Sequence, residues 1–318
     1  FDLNRTAADG NATLTATITV ADLGGADSDT ESLQLNVVNV APTASVSGPA
    51  TVDEGSVHTL TVGATLDPGT DTRSGYSIAW GDGSTDTLSP AQWAAAAGNF
   101  THTYADGASA PTITVSTTDE DGTTVLGTQA VTVANVAPSL VLDGAASTLE
   151  GATYQLTLTG SDVAGSADPL AYSIAWGDGS TQTLLAADLP ASGIVSHVFT
   201  DDEDGPANAT ARQVTVTVTD GDGGSTEVSK TVTVANVAPT ASVSGPATVD
   251  EGSVYTLTVG AILDPGTDTR SGYTIAWGDG STDTVTPAQW ATAAGNFTHP
   301  YADGAAAPTI TVSTTDED

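Results

Sequence analysis

Gly75-Tyr-Ser-Ile-Ala-Trp80-Gly-Asp-Gly-Ser84 is the stretch whose reading decides the fold. Tyr76, Ile78 and Trp80 alternate with small or polar residues, a period of two that suits a strand buried on one face. The Gly-Asp-Gly that follows reads as a tight turn, because glycine reaches positive φ and the Asp side chain can bond amides two residues on. Trp80 then sits on a central strand and fills the core.

The same alternation runs outward on both sides, in Val57-His-Thr-Leu-Thr-Val62, Pro111-Thr-Ile-Thr-Val-Ser-Thr-Thr118 and Gln129-Ala-Val-Thr-Val-Ala134. β-Branched residues dominate, and Gly, Pro and Asp clusters bound each run. About seven short strands in roughly 100 residues predicts an all-β antiparallel sandwich of immunoglobulin-like build. One segment breaks the pattern. Ser89-Pro-Ala-Gln92-Trp-Ala-Ala-Ala-Ala-Gly98 carries an N-cap, a Pro at the first helical position and a Gln at N3. It predicts a two-turn helix bridging the sheets and ending at Gly98, with Trp93 and its counterpart Trp290 tucked beneath.

The pattern repeats. Asn-Val-Ala-Pro begins at Asn39, Asn135 and Asn236, and Ile-Ala-Trp-Gly-Asp-Gly-Ser surrounds Trp80, Trp176 and Trp277. Residues 39–121 and 236–318 align without a gap and differ at eight positions. Residues 135–235 are a more distant relative, so the order is A-B-A. Residues 1–38 resemble the second half of a unit, since Thr-Val-Ala-Asp22 matches Thr-Val-Thr-Asp220. The expected organisation is residues 1–38 as the C-terminal part of a domain, 39–134 as an A-type domain, 135–235 as a B-type domain, and 236–318 as an A-type domain lacking its last strand. The chain has no Met and no signal-peptide pattern, and it reads as an internal piece of a longer polypeptide.

Charge excludes several functions. The 318 residues carry 39 acids against five cations, a net charge of −34. So few Lys and Arg cannot neutralise a phosphate backbone, which argues against nucleic acid. Anionic membrane surfaces repel the chain, and no apolar run approaches the length of a span. Cations are the natural partners. Cys is absent, so thiolate metal sites, disulfides and cysteine nucleophiles are excluded.

Trp-Gly-Asp-Gly-Ser, followed by His102/Tyr104, His197/Phe199 and His299/Tyr301 and then a Thr-Val strand ending in Asp, resembles the PKD domain family. The Ala-Pro that opens each unit and the Glu-Gly pairs at Glu54, Glu150 and Glu251 are similar to tandem prokaryotic PKD-type and cadherin-like repeats. The resemblance covers practically the whole chain. It implies head-to-tail immunoglobulin-like sandwiches in a large surface or secreted protein. The shortened Trp-to-Gly-Asp-Gly spacing and the Ala-rich helix depart from the family pattern.

The acidic loops are the candidate sites. In such a sandwich the B–C and F–G loops lie where the chain enters, and the A–B and E–F loops lie where it leaves. At one junction this topology assembles Glu54, Asp106 and Asn135 with Asp162, Asp168, Asp220 and Asp222. At the next it assembles Glu150, Asp202 and Asn236 with Asp264, Asp268, Asp316 and Asp318. Oxygen donors from several loops, without His or Cys, suit Ca2+ at six to eight coordination. The arrangement resembles the inter-domain calcium sites of cadherin-like repeats. Arg73 and Arg270 lie among these aspartates and offset local repulsion. His102, His197 and His299 recur at one strand position and read as structural, bonding across the sandwich.

No pocket-forming insert favours a glycosidase, and the Gly-Asp-Gly-Ser turns lack the Lys and helix of a phosphate loop. Asn-x-Thr sequons stand at Asn4, Asn11, Asn99, Asn208 and Asn296. The expected function is a non-catalytic structural, adhesive or spacer segment of an extracellular protein, stiffened by Ca2+ at its junctions. Its expected partners are neighbouring repeats of the same chain. Other copies or surface glycans would be the partners in two alternatives: a self-assembling filament subunit, and carbohydrate-binding modules of a secreted enzyme.

Overall fold

A computed structural model describes residues 12–25, 27–69, 71–202, 208–304 and 307–315. Phe1, Asn4, Asn11, Asp316 and Asp318 lie outside the described residues. The chain divides into two compact units. The first comprises Phe1–Ala137, Asp162–Pro169 and Gly221–Gly224; the second comprises Pro138–Ser161, Leu170–Asp220 and Ser225–Asp318.

The first unit opens with a hairpin, β1 (Ala12–Ala21) and β2 (Ser28–Val37), paired antiparallel along its full length. Four of its apolar residues, Ile18, Val20, Leu33 and Leu35, are exposed among the described residues. Ile18 and Val20 match Val216 and Val218 of the B-type repeat, which are buried.

The sandwich that follows is built from β3 (Val46–Ser47), β4 (Thr51–Asp53), β5 (Val57–Val62), β6 (Gly75–Ala79), β7 (Thr85–Leu88), helix α1 (Pro90–Ala96), β8 (Asn99–Thr103), β9 (Thr112–Asp119), β10 (Gly122–Ala130) and β11 (Thr132–Ala134). One sheet runs β3-β5-β8 and the other β10-β9-β6-β7, while β11 pairs parallel with β4. This is the immunoglobulin-like antiparallel sandwich that the alternation predicts. Leu60, Val62 and Phe100 from the first sheet meet Ile78, Trp80, Ile113 and Val115 from the second. Trp80 is buried at the centre, as are Trp176 and Trp277 in their own repeats.

In the second unit the B-type repeat comprises β12 (Ser139–Gly144), β13 (Ser147–Leu149), β14 (Thr153–Ser161), β15 (Ala171–Ala175), β16 (Thr181–Leu185), β17 (Ile194–Val198), β18 (Ala209–Thr219) and β19 (Ser225–Ala235). Its sheets run β12-β14-β17 and β13-β19-β18-β15-β16. The second A-type repeat comprises β20 (Val243–Ser244), β21 (Val254–Val259), β22 (Gly272–Ala276), β23 (Thr282–Val285), helix α2 (Pro287–Ala293), β24 (Asn296–Pro300) and β25 (Thr311–Thr315). Its sheets run β20-β21-β24 and β23-β22-β25.

Helix α1 forms where the capping signals place it. Ser89 and Gln92 make a reciprocal capping box, which satisfies amides that the first turn leaves unpaired. The helix links β7 in one sheet to β8 in the other, and Trp93 stacks on Tyr76 at 4.1 Å between ring centroids. Its end differs from the sequence expectation. The left-handed cap is Ala97 at φ 50°, one residue before Gly98, and Gly98 takes a second positive φ to turn the chain into β8. The B-type repeat has a single 3-10 turn, Ala186–Asp188, in place of the helix.

Each Gly-Asp-Gly turn ties the two sheets together. Asp82 accepts from the Ser84 amide at 2.9 Å and from its hydroxyl at 2.5 Å, while its other oxygen meets His102 Nε2 at 2.7 Å. His102 belongs to β8 and stacks on Trp80 at 4.7 Å. Tyr104 closes the set, its hydroxyl donating to the Trp80 carbonyl at 3.1 Å. Asp178 with His197, at 2.6 Å, and Asp279 with His299, at 2.8 Å, repeat the arrangement. Burial pushes the Asp82 carboxyl up, but the Ser84 hydroxyl and amide and the His102 ring outweigh it and hold it down to about 2. These histidines are joints between sheets.

Candidate metal centres

Glu54 and Glu150 occupy the same place in two repeats, and the backbone fixes both. The Glu54 amide donates to the Ala134 carbonyl at 3.0 Å and the Gly55 amide to the Tyr104 carbonyl at 2.9 Å. Glu150 and Gly151 make the matching bonds to Ala235 and Phe199, at 3.0 and 2.7 Å. Each turn is thereby clamped between the last strand and the loop after the β8-type strand. The side chain then turns inward. Glu54 Oε1 accepts the Val136 amide at 2.8 Å, and Glu150 Oε1 accepts the Val237 amide at 2.7 Å.

The second oxygen of each glutamate has no hydrogen-bond partner among the described residues, although Glu54 and Glu150 are only 2% and 1% exposed. Around them stand further acids. Within the first unit, Glu54, Asp106, Asp168 and Asp222 each present a carboxylate oxygen, all within 4.8 Å of one another. Within the second unit, Glu150, Asp201, Asp202 and Asp268 do the same. Asp202 is fully buried and neither of its oxygens has a hydrogen-bond partner among the described residues. Asp168 is buried too; one oxygen accepts the Gly221 amide and the other has no hydrogen-bond partner among the described residues.

Small residues keep these spaces open. A Cβ on Gly107 would stand 2.7 Å from Glu54 Oε2, and one on Gly266 would collide with Glu150 Oε2. The electrostatics are unfavourable for bare carboxylates. Burial pushes the Glu54 carboxyl up, Asp162 and Asp168 push it the same way, and the Val136 amide opposes them. Burial likewise raises Glu150, with Asp268, Asp202 and Asp264 adding to it against the Val237 amide. Two like charges 4 Å apart repel by roughly 1 kcal/mol even in bulk water, and by more where solvent is excluded.

Four carboxylates with no His or Cys offer hard oxygen donors only. That set suits Ca2+, which takes six to eight oxygens at about 2.3–2.6 Å in flexible geometry. It does not suit Zn2+, which favours nitrogen and sulfur in a tetrahedron.

The remaining sequence-selected residues fall as follows. Asp162 accepts the Ala164 amide at 2.8 Å with one oxygen and buries the other. Asp220 is buried immediately after β18. Asn236 buries its side-chain oxygen close to Glu150's partner Val237, and Asn135 flanks Gly107. Asp264 is ion-paired with Arg270 at 2.7 Å, as Asp67 is with Arg73 at 2.9 Å. Asp201 belongs to the second group although its loop position alone does not single it out. The adjacent Asp201-Asp202 pair is the only sequence signal for it.

No protein-family model matches the chain, and no curated protein sequence does. Solved structures resemble it at low identity. A tetra-tandem repeat in the extending region of a large adhesion protein is 16% identical, covers 97% of this chain and 82% of its own, and has a TM-score of 0.39. The three N-terminal domains of the bacteriophage RB49 highly immunogenic outer capsid protein are 13% identical, covering 87% and 95%, with a TM-score of 0.27. Drosophila OTK extracellular domains 3–5 are 14% identical, covering 82% and 98%, with a TM-score of 0.24.

Proposed function

We propose that this chain is a non-catalytic structural and adhesive segment of an extracellular repeat protein of the PKD type, and that its two acid groups hold Ca2+ and limit bending between neighbouring repeats. The observation that carries this reading is the burial of Glu150 and Asp202 inside a ring of carboxylates, with oxygens that have no hydrogen-bond partner among the described residues. Bare acids in that position destabilise the fold, and a bound divalent cation reverses the sign. Among the described residues no Trp, Tyr or Phe is exposed, so the carbohydrate alternative lacks the aromatic platform on which sugars stack.

Calorimetric titration of the full chain with CaCl2 tests the binding. Ion occupancy should stabilise the chain by about 2.7 kcal/mol at a hundred times Kd. Glu150→Gln with Asp202→Asn should abolish one site and leave the other. Small-angle scattering tests the stiffening, with a longer, more rigid particle expected in millimolar Ca2+ than in chelator. Absence of binding heat, or identical scattering in both conditions, overturns the proposal.

A further inference from the structure

We infer that the B-type repeat docks an extended peptide strand along the free edge of β16, and that the segment it takes is uncharged in its middle and basic at its ends. The five-stranded sheet ends at β16, which pairs with β15 alone among the described residues. Two bonds fix the phase of that pairing. The Trp176 amide donates to the Ser180 carbonyl at 3.1 Å, and the Ala186 amide donates to the Leu170 carbonyl at 2.8 Å. Bonded and non-bonded residues alternate along an antiparallel pair. The main-chain groups of Thr181, Thr183 and Leu185 therefore point away from β15, to the outside of the sheet.

The A-type repeats show what guards this edge elsewhere. Their equivalent strands, β7 and β23, have four residues each and carry a charge, Asp86 or Asp283. Each carboxylate accepts from the indole of its core tryptophan, Trp80 at 3.0 Å and Trp277 at 2.9 Å. A helix then crosses to the other sheet, and its tryptophan fills the side: Trp93 stacks on Tyr76 and tilts against Phe100 at 4.7 Å. Trp290 does the same with Tyr273 and Phe297. Shortness, an inward charge and a cover are the means by which edge strands avoid pairing. The B-type repeat relaxes all three. β16 has five residues, Thr-Gln-Thr-Leu-Leu, with Gln182 in the place of Asp86. The 3-10 turn that replaces the helix buries none of its residues, and Leu185 is 58% exposed.

Strand addition draws affinity from main-chain bonds and selectivity from alternate side-chain pockets. A groove of about 370 Å³ lies beside the edge, lined by Ala171, Ser173, Thr183, Leu185, Asp188 and Thr219. It has room for a β-branched side chain. Charge decides the ends of the occupant. Asp178, joined to His197, precedes β16, and exposed Asp188 follows it. No Lys or Arg stands between Arg73 and Arg212, and the chain as a whole carries −34. The edge therefore rejects acidic segments and selects basic flanks. A second copy fits poorly. Laid antiparallel on the same edge about Thr183, it would set Asp188 of one chain toward Asp178 of the other at both ends.

The test uses the full chain in chelator, so that it is independent of Ca2+ binding, with the synthetic peptide acetyl-Lys-Val-Thr-Val-Thr-Val-Lys-amide. At saturation, amide exchange at 181–185 should slow on the order of tenfold, with 85–88 and 282–285 unchanged. The same peptide with Glu at both ends, or with alternate main-chain nitrogens methylated, should leave 181–185 unprotected. Thr183→Pro removes an amide that faces outward on an edge strand, a place where sandwiches tolerate proline. It should keep the wild-type Tm and lose the response. Asp188→Lys should weaken the Lys-flanked peptide and admit the Glu-flanked one. Unchanged exchange at 181–185 in the wild-type chain overturns the proposal, as does equal protection by the Glu-flanked or methylated peptide, or a response retained in Thr183→Pro. A peptide-free dimer that sedimentation shows and Thr183→Pro dissolves would assign the edge to a second copy and overturn it equally.

Discussion

His58 gives the first A-type repeat a pH response that its near twin should lack. The ring is fully buried, with neither nitrogen hydrogen-bonded among the described residues. It lies edge-on to Tyr104 at 6.2 Å and directly across β5 and β8 from His102. Burial pushes its pKa down and His102 adds to the shift. The unfolded chain takes up a proton near pH 6.5 while the folded one resists it, so stability is full above that value and falls as pH drops below it. Each pH unit between the unfolded and folded values costs about 1.4 kcal/mol, or roughly 6–11 °C in Tm for a domain of this size. The second A-type repeat has Tyr255 at this position, and the B-type repeat has Tyr154, whose hydroxyl donates to Ala145 at 3.0 Å. Differential scanning calorimetry of wild type and His58→Tyr, in chelator at pH 7.5 and 5.5, isolates the effect. The variant should gain several degrees on wild type at the lower pH, in one transition only. An equal difference between the two proteins at both pH values would refute the reasoning.

Three further outcomes follow from the same geometry. Trp176→Ala should destabilise the B-type sandwich by about 3–5 kcal/mol, the cost of truncating a large buried aromatic, measured by denaturant unfolding. Glu150→Gln should raise stability in chelator, by relieving repulsion among buried carboxylates, and lower it in Ca2+; the same sign in both media would leave the group without a cation. Asp82→Asn should flatten the acid limb of the first A-type repeat, because a carboxyl held down to about 2 stabilises the fold above its unfolded value and loses that contribution as pH falls toward 2.

The sheets were legible because period two is a local property. Tyr76, Ile78 and Trp80 announce their face within five residues, and the capping box at Ser89 does the same for a helix. What sequence could not give was which acids converge. Glu54 and Asp168 are 114 positions apart, and only the backbone clamps at Glu54 and Gly221 bring their oxygens together. Topology narrowed the loops but not the side chains. Asp264 shares a loop with Asp268 yet is taken by Arg270, and Asp201 turns in beside Asp202. The left-handed cap at Ala97 was hidden for a related reason: the next residue, Gly98, carries the usual signal, and tertiary demand for two successive positive φ values placed the first on alanine.

Cations also lie close to the second acid group. Arg270 is committed to Asp264, and Arg212 donates to the main-chain carbonyls of Asp201 and Asp202, at 3.4 and 2.9 Å. The latter contacts hold the turn that carries both acids, and the side-chain oxygens of Asp202 have no hydrogen-bond partner among the described residues. Diffuse salt does little here. At 0.15 M the Debye length is about 8 Å, longer than the 4.8 Å over which the ligand oxygens gather. Monovalent ions therefore screen the exposed acids of the surface but not one another's repulsion inside a cluster. Raising NaCl should lift Tm gradually and equally in wild type and in Glu150→Gln with Asp202→Asn. Millimolar CaCl2 at matched ionic strength should add a further rise in wild type that the double variant shows only in reduced form. If NaCl reproduces the whole CaCl2 effect, the stabilisation is general screening and these carboxylates are not ligands.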